Sequence, residues 1–152
     1  MTSERQPTPI HRLAVAYQML LFVDSDACAS DSLEIAALGL LHDEGLIRLM
    51  VSSEQTSLPN CTIADEYEVD VDLYSFVYGL LHPELDGHIA TFPATDKAMQ
   101  VAKAVRHGAD IFVTNDSQIS HRDRPFERLT DMHLLEPAQA VELVMQEIHN
   151  AD

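Results

Sequence analysis

The chain has 152 residues, 46% of them hydrophobic, with 9 Lys and Arg against 25 Asp and Glu and a formal charge of −16. That length and apolar fraction fit one globular domain and exclude disorder over most of the chain, while no apolar run nears the roughly 20 residues that span a bilayer. A charge of this sign opposes indiscriminate contact with nucleic acid, whose phosphates are met by Lys and Arg.

In chain order, the stretch from Met1 to Ile10 is polar and carries Pro7 and Pro9, unlike the apolar core of a signal peptide. It predicts an N-terminal extension over 1–16, a single domain over 17–152, a cytoplasmic location and no membrane partner. The apolar run Met19–Val23 reads as a buried strand ending at Asp24. Asp31 and Ser32 then offer N-caps to a helix with Leu33, Ala36, Ala37 and Leu40 on one face, stopped at Gly45. Ile47–Val51 reads as a second strand, and 52–68 has no clear periodicity around Pro59. Leu73, Phe76, Val77 and Leu80 mark an amphipathic helix with Asp70 and Asp72 at its positive end.

His88–Phe92 reads as a short strand. Thr95 and Asp96 open a helix whose apolar face is Ala98, Val101, Ala102 and Val105, ended by Gly108. Ile111–Val113 is a buried strand running into Thr114, Asn115 and Asp116. Met132–Leu135 is a last strand, and Pro137 starts a helix with Val141, Val144, Met145 and Ile148 on its apolar face. Strands alternating with helices predict a three-layer α/β/α sandwich around a mostly parallel sheet of about five strands. In such sheets chemistry collects at the carboxyl ends of the strands, where Asp24 and Asp116 stand. A right-handed crossover starts its helix at that same edge, which would bring Asp96 there too. Converging carboxylates suit a hard cation such as Mg²⁺ or Mn²⁺.

Charge is unevenly spread. Six of the nine basic residues, Lys97, Lys103, Arg106, Arg122, Arg124 and Arg128, fall between Lys97 and Arg128 with four acids, so that stretch is +2 and the rest is −18. These six are candidates for phosphate contacts, although folding could scatter them. Cys28 and Cys61 have neither metal spacing nor partners for a disulfide framework and read as structural thiols. None of the eight histidines forms a ligand pair, and only His121, following Asp116, lies near a proposed ligand.

The stretch Leu21–Asp26, the helix from Asp96, and Gly108–Asp116 with its Thr114-Asn115-Asp116 turn together resemble a PIN domain. So does the tail, with Phe126–Leu129 followed by Leu134–Pro137. The resemblance covers nearly all of 19–148 and is most specific from Asp96 to Asp116. It implies a Mg²⁺- or Mn²⁺-dependent ribonuclease, often the toxin of a toxin–antitoxin pair. RNA would then be the substrate, an antitoxin a protein partner, and a homodimer the assembly. Asp24, Asp96 and Asp116 would bind metal, with Thr114, Asn115, Arg122 and Arg124 toward the substrate. One departure stands out. The family's fourth acid would fall near Leu58 and Pro59, leaving Glu54, Glu66 or no residue to supply it.

Two other readings are carried. A PIN-like module without catalysis is favoured by the imperfect fourth acid and the charge. A response-regulator receiver would use Asp24 and Asp26 as its acid pair and Asp70 as phosphoacceptor, but Thr114-Asn115 stands where it needs a Lys.

Overall fold

The computed structural model describes residues 18–29, 32–51, 61–63, 71–82 and 94–151, of which 94–96 and 151 are described by backbone alone. Five strands, β1 (Met19–Val23), β2 (Ile47–Val51), β3 (Thr62–Ile63), β4 (Ile111–Val113) and β5 (His133–Leu135), lie in the order β3-β2-β1-β4-β5. All four pairings are parallel, so every strand delivers its carboxyl end to one edge. Val23 is paired with Val51 on one side and Val113 on the other.

Period-two alternation sorts the strand side chains onto two faces. Leu21, Val23, Ile47, Leu49, Val51, Ile111 and Val113 point one way and meet α1 (Ser25–Cys28), α2 (Leu33–Asp43) and α7 (Pro137–Ala151). Phe22, Met50, Phe112 and Leu134 point the other way. They pack on α3 (Val71–Leu81), α4 (Ala94–Arg106), α5 (Ser117–Ser120) and α6 (Asp123–Thr130). Phe22 and Phe112, neighbours across the β1–β4 pairing, stack with ring centroids 5.8 Å apart. Burial on both faces is why these strands read as continuous apolar runs. The result is a three-layer α/β/α sandwich.

The strand order removes the receiver reading. A receiver seats its first strand between its second and third, in the order 2-1-3-4-5. Here β1 lies between β2 and β4, and β3 is an edge strand two positions away. Asp70 lies outside the described residues, as do the extension over 1–16, the strand expected at His88–Phe92, and Glu54 and Glu66.

Helix ends follow the sequence signals. Ser32 caps α2 by accepting from the Ile35 N–H at 3.1 Å. Gly45 and Gly108 take φ of 78° and 74° just past the ends of α2 and α4, a left-handed conformation that glycine adopts without Cβ strain. The buried face of α2 differs from the expected one. Ile35 and Leu38 are buried, while Leu33 is 84% and Leu40 64% exposed. The helix is apolar almost all round, so spacing alone does not select the side that meets the sheet. For the same reason Phe76, on the apolar helix α3, is exposed; Met145 on α7, also expected in the core, is exposed too. The short helices α1, α5 and α6 and the strand β3 have no counterpart among the elements expected from sequence. Among the described residues, no helix is long and apolar enough to cross a membrane.

Candidate functional site

Asp24 is the first residue past β1. Its N–H continues the ladder by donating to the Val113 carbonyl at 2.9 Å, which fixes the backbone beside the end of β4. Alternation places residue 24 on the same face as Phe22, the face covered by α4, and its carboxylate is completely buried. A buried carboxylate needs partners, and Asp24 has them. Its Oδ1 accepts from the Asp26 N–H at 3.3 Å. Its Oδ2 accepts from the Thr114 hydroxyl at 2.8 Å and from the Lys97 ammonium at 2.5 Å.

Thr114 is the matching residue past β4 and is also fully buried. Its hydroxyl donates to Asp24 and accepts the Asp116 N–H at 3.0 Å. One hydroxyl therefore joins the two strand ends that carry Asp24 and Asp116. Thr114, expected toward the substrate, is buried, and its hydroxyl holds a carboxylate and the following turn. The Asp116 carboxylate caps α5 through Oδ1, which accepts from the Gln118 N–H at 3.0 Å. Asn115, between them, is exposed.

Helix α4 enters at the same edge. Lys97, in its first turns, reaches Asp24 and also Asp26, whose Oδ2 lies 2.7 Å from Nζ. One turn further, buried Gln100 pins the loop after β1: its Oε1 accepts from the Ser25 N–H at 3.0 Å and its Nε2 donates to the Ser25 hydroxyl at 3.2 Å. Asp96 precedes Lys97 in this turn, and its side chain lies outside the described residues. Burial lowers the Lys97 pKa, but hydrogen bonds and charge from Asp24 and Asp26 outweigh it, so the ammonium titrates above the ordinary lysine value of 10.5. It is charged at neutral pH.

Carboxylates thus stand past adjacent strand ends, and the positive charge between Asp24 and Asp26 is the chain's own ammonium. Among the described residues, no group of three or more His, Cys, Asp or Glu is gathered closely enough to hold a metal. Of the three expected ligands, Asp24 and Asp116 stand past the adjacent strands β1 and β4, linked through Thr114, and Asp96 belongs to the first turn of α4.

The basic stretch is dispersed by folding. Lys103 is 6% exposed, with Arg106 three residues beyond it in the last turn of α4, the end away from the site. The Arg122 Nε donates to the Leu80 carbonyl at the end of α3, 3.1 Å away. Between the two arginines, Asp123 accepts from the Leu134 N–H at 2.9 Å and contacts His133 Nδ1 at 3.1 Å, anchoring this turn to β5. Arg124 and Arg128 are exposed on α6, and His121 is exposed at the end of α5. Of the two arginines expected at the substrate, Arg122 is engaged with α3 and Arg124 is exposed.

Three features of the site go beyond the sequence expectations: Lys97 as the partner of Asp24, Asp26 as the second carboxylate on that ammonium, and Gln100 as the clamp on Ser25. Gln100 does leave a signal, a polar residue set inside the apolar stripe of Ala98, Val101 and Ala102. Comparison of the chain with protein-family models, with curated proteins and with solved structures finds no match.

Proposed function

We propose that the protein is a PIN-type ribonuclease that hydrolyses RNA phosphodiester bonds with Mg²⁺ or Mn²⁺ at Asp24, Asp96 and Asp116. The observation that carries this reading is the Thr114 hydroxyl shared between Asp24 and the Asp116 turn, at the edge where Lys97 brings in the start of α4. The resemblance from Asp96 to Asp116 supports it, as does the arrangement of the strand ends.

A bound divalent ion would supply Lewis-acid charge to the phosphate and lower the pKa of a water. The chain's own residues do the rest. Asp24 and Asp116 offer oxygen ligands from two adjacent strands. Thr114 fixes the Asp24 rotamer by donating to Oδ2. Gln100 holds the Ser25 backbone and so the approach of α4 to β1. Exposed Asn115 faces solvent beside the ligands and is available to substrate. The restricted positive charge favours a local phosphate contact over broad RNA binding.

One observation favours a second reading, a PIN-like module without catalysis: the Lys97 ammonium already neutralises Asp24 and Asp26. Incubation of structured and single-stranded RNA with wild type and Asp116→Asn, in Mn²⁺ and in EDTA, separates the two. The nuclease cleaves in Mn²⁺ only, and Asp116→Asn does not. RNA left equally intact by both proteins refutes cleavage and leaves the binding module.

A further inference from the structure

Building on the metal-site reading, we propose that Lys97 is a built-in competitor for the divalent cation: its ammonium holds the seat at Asp24 and leaves it when the metal enters. Both oxygens of the Asp24 carboxylate are engaged. Oδ1 is held by the Asp26 N–H, and Oδ2 by Thr114 and Lys97. With Asp24 at 0% exposure, an ion from solvent gains Oδ2 only if a covering group moves. Thr114 is itself buried and tied to the Asp116 backbone, and the Asp26 N–H is part of α1. Lys97 differs from both. It keeps 12% side-chain exposure, and its charge sits on a flexible four-carbon stem.

Electrostatics opposes joint occupancy. An ammonium and a dication repel at contact distance, so each weakens the hold of the other on the Asp24 Oδ2. The movement is confined to one side chain, because Gln100 anchors α4 to Ser25 independently of Lys97. Asp26, exposed on the solvent side, gives the displaced ammonium a nearby resting partner. The pair thus sets a threshold: the site fills only when the cation competes successfully with the chain's own lysine.

The chain has two lysines, Lys97 and Lys103, which allows a test on the wild-type protein. Acetylation by an N-hydroxysuccinimide ester is measured by mass spectrometry in EDTA and in Mn²⁺, with Lys103 and the N-terminal amine as references. Mn²⁺ binding is followed in parallel by electron paramagnetic resonance for wild type, Lys97→Met and Asp24→Asn. The expected results are a several-fold rise in Lys97 labelling with Mn²⁺ and roughly tenfold tighter Mn²⁺ binding by Lys97→Met, from loss of a repelling charge. Unchanged Lys97 labelling while Mn²⁺ occupies a site that Asp24→Asn abolishes overturns the competition and spares the metal site. Mn²⁺ binding that Asp24→Asn leaves intact, or that is absent throughout, overturns both. Should Lys97→Met fail to fold, the wild-type labelling decides alone.

Discussion

Thr114 shows how much one small side chain does at this edge. Its hydroxyl serves a buried carboxylate and a backbone N–H at once, at zero exposure. Thr114→Val keeps the shape and removes both bonds, so denaturant unfolding should show a loss of about 1–3 kcal/mol, the usual cost of leaving a buried polar group unsatisfied. Thr114→Ser, which restores the hydroxyl, should recover most of it; equal stability of Val and wild type would deny the bridge. Asp24 and Asp116 stand out in the sequence because each comes just after a short apolar run that reads as a buried strand. The Lys97–Asp24 pair is not, since its members are 73 residues apart and a contact of that range leaves no local pattern. Thr114 is legible as part of the turn, though not as a link between strands.

At the scale of elements, the strands, α2, α4 and α7 follow from apolar periodicity and from caps such as Ser32, Gly45 and Gly108. What periodicity misses is the choice of face on the apolar helices. Helix α2 carries Leu33, Leu40, Ile35 and Leu38 at compatible spacings, and only packing against β2 and α7 decides between the sets. The decision is measurable. Leu38→Ala opens a cavity beneath a fully buried position and should cost about 2–5 kcal/mol. Leu40→Ala, on the exposed side, should stay within about 0.5 kcal/mol of wild type. Matching losses at the two positions would mean that the helix is rotated from the face described. The helices α1 and α5 are invisible in sequence for another reason: they are single turns held by Asp24 and Asp116 as caps, and such turns have no period to detect.

For the whole molecule, the net charge of −16 gives way to a more local picture. The basic residues clustered in sequence are distributed among a buried stem, a helix end and a carbonyl of α3, and one of them, Lys97, lies in the acidic site. Three groups also link the fold to alkaline pH. Burial, with help from Cys28 and Asp43, pushes the Cys61 thiol from 9.0 up to about 11. Burial and Tyr78 raise Tyr74 above 10.0, and Lys97 stands above 10.5. In each case the folded chain keeps a proton that the unfolded chain has begun to lose, so stability must fall as pH rises. Denaturation midpoints should therefore be level near neutrality and decline from about pH 9 through pH 11. A midpoint that holds or increases across that window would show that these environments are absent in solution. The same shift predicts that Cys61 alkylates slowly near pH ~7.5, as a protonated thiol is a poor nucleophile.

In the proposed site, Asp24, Asp96 and Asp116 meet on one divalent cation at the carboxyl edge of β1 and β4. Anomalous scattering from a crystal soaked in Mn²⁺ tests it most directly. The expected result is a single strong peak bonded at about 2.0–2.3 Å to oxygens of all three carboxylates, with the Lys97 ammonium withdrawn from Asp24. Lys97 still bonded to Asp24 at saturating Mn²⁺, with no peak between the strand ends, would contradict it.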